Sequence, residues 1–206
     1  MHLSQDADLP LPDWLRFLSG LVFHPRQVAS VCPSSRCLER HLARLPCLRR
    51  AQLVVELGPG LGGTTRALLH AMPKDSVLLG IEIVEQFANE VRRIPDARLR
   101  VVQGSALDLD QLLRSQRLSQ PDVIVSGIPF STMSREAASS LVRTIHAVLA
   151  AASTFVAYQV HPRVCELATE AFGAPQQTLV MANVPPLRIF EWRKPAEPES
   201  VGKLPG

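Results

Sequence analysis

Read for alternation of apolar and polar positions, the chain resolves into short apolar runs separated by amphipathic stretches. Runs of strand length and character lie at 52–56, 77–82, 99–102, 122–126 and 154–159, with a closing pair at 177–183 and 187–193. Between them, apolar residues recur at helical spacing over 64–72, 84–92, 108–116, 134–150 and 161–171. Strands alternating with helices predict an α/β fold, a mostly parallel sheet with helices on both faces. The closing pair is joined tightly through Pro185-Pro186, which predicts an antiparallel hairpin at the end of the chain.

The first fifty residues pattern differently. Over 13–23 the apolar positions 14, 15, 17, 18, 21 and 22 cover one broad helical face, with Asp13, Arg16 and Ser19 opposite. Pro25 stops or bends that helix, and His24 before it is biased away from helical geometry. A second helix is expected over 36–45, with Leu38, Leu42 and Leu45 inward and Arg36, Arg40 and Arg44 outward. Two readings of the first helix stand side by side: packing over the sheet, or lying in a headgroup layer with Trp14, Phe17 and Phe23 as anchors. The expected organisation is an N-terminal helical segment over 1–50, a core over 51–193, and a disordered tail over 194–206 rich in proline, glutamate and lysine.

Composition narrows the classes. At 206 residues the chain suits one domain with a sizeable core. No apolar run approaches the length needed to span a bilayer, and the opening Met1 to Asp8 lacks the pattern of a secretory signal. The four cysteines, at 32, 37, 47 and 165, form no C-x-x-C pair, so reduced thiols and no zinc site are expected. Residues 1–50 hold seven arginines against four acids, whereas 51–206 hold fifteen basic and fifteen acidic side chains. Positive charge gathered at one end makes a poor footprint for nucleic acid and a fair one for an anionic surface.

The most informative stretch is Leu53-Val-Val-Glu-Leu-Gly-Pro-Gly-Leu-Gly-Gly63, a strand ending in Glu56 that opens into glycines 58, 60, 62 and 63 before a helix. A strand, glycine turn and helix present bare backbone to a nucleotide-like ligand. The spacing Gly58-x-Gly60-x-x-Gly63, with Glu82 about 20 residues on, also fits the dinucleotide fingerprint. Glu56 argues against it, because a carboxylate beside that turn repels a pyrophosphate. It suits a guest bearing positive charge.

Downstream, Glu82 closes the second strand, where one carboxylate can accept from both hydroxyls of a ribose; the alternative is a helix-initiating acid. Gln103-Gly104-Ser105-Ala106 follows the third strand, and Asp108 either supplies an acceptor or caps the next helix. The fourth strand runs out through Ser126-Gly127-Ile128-Pro129-Phe130. Proline stiffens that turn and contributes no amide proton, leaving carbonyl oxygens to accept from an amine, and the ring of Phe130 offers a face to a cationic or planar nitrogen. Tyr158 ends the fifth strand with His161 shortly after, the latter either a proton acceptor or structural.

The Glu-x-Gly-x-Gly-x-Gly pattern resembles the first motif of the class I S-adenosylmethionine-dependent methyltransferases. The Ser-Gly-Ile-Pro-Phe turn, with Phe17, Pro25, Val28, Pro33-Ser34-Ser35 and Asn183-Val-Pro-Pro-Leu-Arg-Ile-Phe190, resembles bacterial phospholipid N-methyltransferases related to the rRNA adenine dimethylases; the likeness spans roughly 14–193. It implies a Rossmann-like seven-stranded sheet whose last strand is antiparallel. It also implies S-adenosylmethionine held by Glu56, Gly58, Gly60, Gly62, Glu82, Ile83, Gly104, Ser105, Ala106 and Ser126. Ser105 departs from the aspartate common at that position. Pro129, Phe130 and Tyr158 are the expected catalytic residues, with Ser34, Gly127, Ile128 and His161 on the acceptor side. Gly127 replaces the asparagine of the adenine methylases. The implied acceptor is a phospholipid headgroup amine, phosphatidylethanolamine and its methylated forms. The expected enzyme is a monomer without metal, cytoplasmic and peripheral on the inner face of the membrane, its first helix binding anionic lipid and covering the cofactor site. A small-molecule amine or an rRNA adenine is the alternative acceptor.

Overall fold

The computed structural model describes residues 35–181 and 186–196. The expectations for the 13–23 helix, Ser34, the Pro185 half of the hairpin turn and most of the tail lie outside them. All described residues belong to one compact unit.

Seven strands form one sheet: β1 (Leu53–Leu57), β2 (Val77–Glu82), β3 (Leu99–Gln103), β4 (Val123–Ser126), β5 (Thr154–Gln159), β6 (Gln176–Val180) and β7 (Leu187–Arg193). Their order across the sheet is β3-β2-β1-β4-β5-β7-β6. β1 to β5 are parallel to one another, and β7 runs antiparallel between β5 and β6. The helices are α1 (Ser35–Leu42), α2 (Gly63–Ala71), α3 (Glu85–Arg92), α4 (Leu109–Ser115), α5 (Arg135–Val148) and α6 (Arg163–Phe172), with single 3₁₀ turns at Pro46–Arg50, Ala106–Asp108 and Phe130–Thr132.

Each expected strand is present, most within a residue or two of its expected limits. The central strands β1 and β4 are buried at every position, as unbroken apolar runs must be when helices cover both faces. Successive residues point to opposite faces, so β1 feeds two cores. Leu53, Val55 and Leu57 join Leu113, Leu141, Ile145, Phe155 and Trp192 beneath α4, α5 and α6. Val54 joins Leu38, Leu42, Leu68, Val91 and Val156 beneath α1, α2 and α3. On α1 the leucine and arginine stripes fall as their spacing requires, Leu38, Leu42 and Leu45 buried and Arg36, Arg40 and Arg44 exposed. Residues 35–50 are thereby built into the second core.

The chain beyond β7 stays ordered further than composition suggests. Lys194 donates from Nζ to the carbonyls of His146 (2.8 Å) and Leu149 (2.7 Å), closing the C-terminal end of α5. Its backbone amide also bonds Ser153 O at 2.8 Å. Cys37, Cys47 and Cys165 are free thiols, and burial, followed by the nearby Glu191, pushes Cys47 up to about 11. Among the described residues no helix is long and apolar enough to cross a membrane, and no cluster of three His, Cys, Asp or Glu is placed to hold a metal.

Candidate active site

Two loops leave adjacent strands at the same edge of the sheet. The glycine turn follows β1, held by the Gly58 amide donating to Ile81 O at 2.9 Å on β2. The 127–130 turn follows β4, held by the Gly127 amide donating to Leu57 O at 2.9 Å. The two touch: a Cβ on Gly58 would sit 3.2 Å from Ile128 Cγ1. Gly58 (φ 74°), Gly60 (φ 57°) and Gly62 (φ 82°) all take left-handed backbone, which explains their residue type. Above Gly60 lies open space, since a Cβ there would meet nothing within 4 Å.

Glu82 locks this turn. Its carboxylate accepts from the Gly60 amide (2.9 Å) and from the Val84 amide (3.0 Å). Burial raises its pKa, and those two amide bonds oppose the rise. Each oxygen keeps a second lone pair for a ligand hydroxyl. Ile83 follows, half-buried, at the mouth of the same bend.

Glu56 is enclosed more completely than its motif position suggests. It is 0% exposed, and it accepts from the hydroxyl of Thr64 and, at 2.7 Å, from that of Thr65, both on the first turn of α2. Burial pushes its pKa up to about 7, against the pull of the two threonines, and the charge of Glu82 adds to the rise. Its influence on a guest in this arrangement is therefore through its field and through Thr64, rather than by bare contact. Neither threonine was legible as a functional residue; their signal is only that they follow the glycines. Glu39 on α1 was missed as well: its Oε1 lies 2.5 Å from where a Cβ on Gly63 would sit, so a third carboxylate borders the turn.

On the next loop, the Gly104 amide donates to Glu82 O at 2.9 Å. Ser105 turns its hydroxyl inward to the chain, accepting from the Leu107 amide at 3.2 Å as the cap of the 3₁₀ turn that starts at Ala106. Asp108 is exposed and makes no side-chain cap to α4.

The acceptor-side turn differs most from expectation. Phe130 is 0% exposed, its ring packed in the core with Met133, Ala138 and Leu141, so in this arrangement it offers no face to a substrate. The 3₁₀ turn at Phe130–Thr132 carries the ring beneath the sheet instead. The carbonyls expected to be free are engaged: Ile128 O accepts from Gln159 Nε2 at 2.7 Å, and Pro129 O from the Thr132 amide (3.0 Å) and hydroxyl (2.8 Å). Gln159 also accepts from the Phe130 amide at 3.3 Å, clamping the turn from both sides. This buried glutamine on β5 is the chief residue that sequence reasoning overlooked. Ser126 is buried and its hydroxyl accepts from the Ile128 amide at 3.4 Å. Gly127, Ile128 and Pro129 stay partly open, as does Tyr158, while His161 is exposed beyond the end of β5.

The residues present fit S-adenosylmethionine. An open cradle of bare backbone, a carboxylate with spare lone pairs at the second strand end, and a buried acidic group behind the turn match a ligand with a ribose and two cationic centres. No phosphate-seeking cation is built into the turn.

No protein-family model matches the sequence. The ornithine lipid N-methyltransferase of Singulisphaera acidiphila is 33% identical over 147 residues, covering 70% of this chain and 77% of that protein. The ribosomal RNA small subunit methyltransferase A of Caulobacter vibrioides is 37% identical over 98 residues, 45% of this chain but only 34% of that enzyme. Among solved structures, the 1,6-didemethyltoxoflavin-N1-methyltransferase of Burkholderia thailandensis, bound to S-adenosylhomocysteine, aligns with a TM-score of 0.64 over 93% of each chain at 20% identity. Fold, site and relatives define a class I S-adenosylmethionine-dependent methyltransferase. Within that class the chain belongs to the family of the Singulisphaera lipid N-methyltransferase.

Proposed function

We propose that this enzyme methylates the amine of a lipid headgroup, with phosphatidylethanolamine and its methylated forms as acceptors. The observation that carries the reading is the contact of the two turns, Gly58 against Ile128, which brings an acceptor held at 127–129 directly beside the cofactor cradle. The likeness to an ornithine lipid N-methyltransferase supports a lipid amine. The burial of Phe130 weighs against a stacked adenine.

Bound S-adenosylmethionine supplies an electrophilic methyl on a sulfonium. Glu82 and the glycine backbone would hold it, with the buried Glu56 carboxyl behind the turn. The 127–130 turn, stiffened by Pro129 and clamped by Gln159, holds the amine in line with the methyl, so positioning dominates the rate. The dipole of the Ile128 carbonyl, which has one lone pair left beside its bond from Gln159, stabilises the positive charge that grows on nitrogen. The arginine-rich N-terminal quarter, with Trp14 and Phe17, seats the enzyme on anionic membrane.

Purified protein is to be incubated with radiolabelled S-adenosylmethionine and separate phosphatidylethanolamine vesicles, RNA and small-amine pools. Label is expected in the lipid, with flotation on anionic vesicles reduced in the Trp14→Asp/Phe17→Asp variant. Label confined to RNA or small amines, or vesicle binding that neither protein shows, overturns the reading.

A further inference from the structure

Gly127 and Tyr158 compete for one volume. β4 and β5 are parallel with Ser126 opposite Ala157, so the next pair along is Gly127 and Tyr158, whose side chains point to the same face. A Cβ on Gly127 would lie 2.6 Å from Tyr158 Cζ and 3.1 Å from Cε2, with the phenolic oxygen nearer still. No real Cβ tolerates that, and the atoms in the way belong to a ring fixed by its own packing, Tyr158 resting on the core beneath α1, α2 and α3. The phenol hydroxyl thus stands where the first atoms of any side chain at 127 would be.

The surroundings of that hydroxyl set its state. Thr64, which donates to Glu56, lies beside it, and the Tyr158 oxygen stands over the bare backbone of Gly127. Burial first, then the charges of Glu56 and Glu82, raise the Tyr158 pKa, so the group stays a neutral hydroxyl.

We propose that the Tyr158 hydroxyl, standing over Gly127, is the acceptor-selecting group of this enzyme, accepting one N–H of an alkyl amine in place of the planar amide that a residue-127 side chain would present. A flat base amine needs a planar partner and an open aromatic face beside it; here 127 has no side chain, Phe130 is buried and the Tyr158 ring fills the gap. An alkyl amine approaching along its C–N axis needs only one oxygen. This deepens the reading above and rests on its acceptor being an alkyl amine.

The test uses the full chain and the labelled cofactor, with phosphatidylethanolamine vesicles, ornithine-lipid vesicles, ethanolamine and RNA as acceptors. Tyr158→Phe keeps the ring and removes only the oxygen. On whichever alkyl amine the wild type methylates, it is expected to lower kcat/KM at least tenfold while melting temperature and cofactor Kd stay within twofold or a degree of wild type. Gly127→Asn is expected to fail through the clash, and Gly127→Asn/Tyr158→Ala to recover the melting temperature. Unchanged kcat/KM in Tyr158→Phe overturns the proposal, as does wild-type activity on RNA alone or on none of the four acceptors. Activity on ethanolamine without lipid instead removes the lipid reading, and the loss in Tyr158→Phe then still supports the role of the hydroxyl.

Discussion

The carboxamide of Gln159 and the carbonyl of Ile128 are joined by a 2.7 Å hydrogen bond that ties the end of β5 to the loop following β4. Because the same carboxamide accepts from the Phe130 amide, one buried side chain fixes both ends of the proline turn. The 127–130 loop is therefore held from a strand that contributes no backbone to it.

Gln159→Leu leaves the Ile128 carbonyl and the buried Phe130 amide without their partner, each such loss costing about 1–3 kcal/mol. The variant is expected to lose roughly that much stability and, because the turn loosens, to lose tenfold or more in kcat with cofactor affinity unchanged. Urea unfolding, steady-state methyl transfer and calorimetry of cofactor binding check the three parts. A proportional loss of cofactor affinity would contradict the division between the two loops.

Glu56 makes stability depend on pH in an unusual direction for a carboxylate. In the unfolded chain it ionises near its ordinary value of 4.5, whereas in the fold it keeps its proton up to about 7. Between those values the folded state binds more protons, so stability falls as pH rises and levels off above about 7. Glu82, also raised, adds a contribution of the same sign. Denaturant midpoints at pH 5, 6, 7 and 8 are expected to fall in the wild type and to fall less in Glu56→Gln. Cofactor binding at pH 6.5 is expected to release a proton from the wild type and less from the variant, read by calorimetry in buffers of different ionisation enthalpy.

Lys194 caps α5 with a positive charge on two carbonyls where the helix dipole is negative. Lys194→Met is expected to cost about 1–2 kcal/mol, seen as a lower urea midpoint at unchanged m-value. The pKa of His146, lowered by burial and then by Lys194, should rise toward its ordinary value, as NMR titration would record. Methyl transfer should be untouched.

Much of the sheet could be read from local pattern, because buried parallel strands are unbroken apolar runs and glycines mark their exits. The acidic positions 56 and 82 stood out because a charge closing such a run is conspicuous. What escaped depends on contacts across the sequence. Gln159 sits 31 residues from the carbonyl it holds, and Thr64 and Thr65 gain meaning only when α2 folds back over β1. Phe130 misled for a related reason: an aromatic after a proline reads as a displayed ring, but the 3₁₀ turn that follows rotates it under the sheet. The extra order at Lys194 was hidden by a composition typical of loose tails.

Because β1 and β4 are neighbours, the glycine turn and the proline turn hang from adjacent strands of one backbone ladder, about 4.8 Å apart. Their separation is a property of peptide hydrogen bonding, indifferent to which side chains decorate either loop. Substitutions around the proline turn therefore leave that spacing in place, provided Ile128, which meets Gly58, and the clamp from the fifth strand are kept.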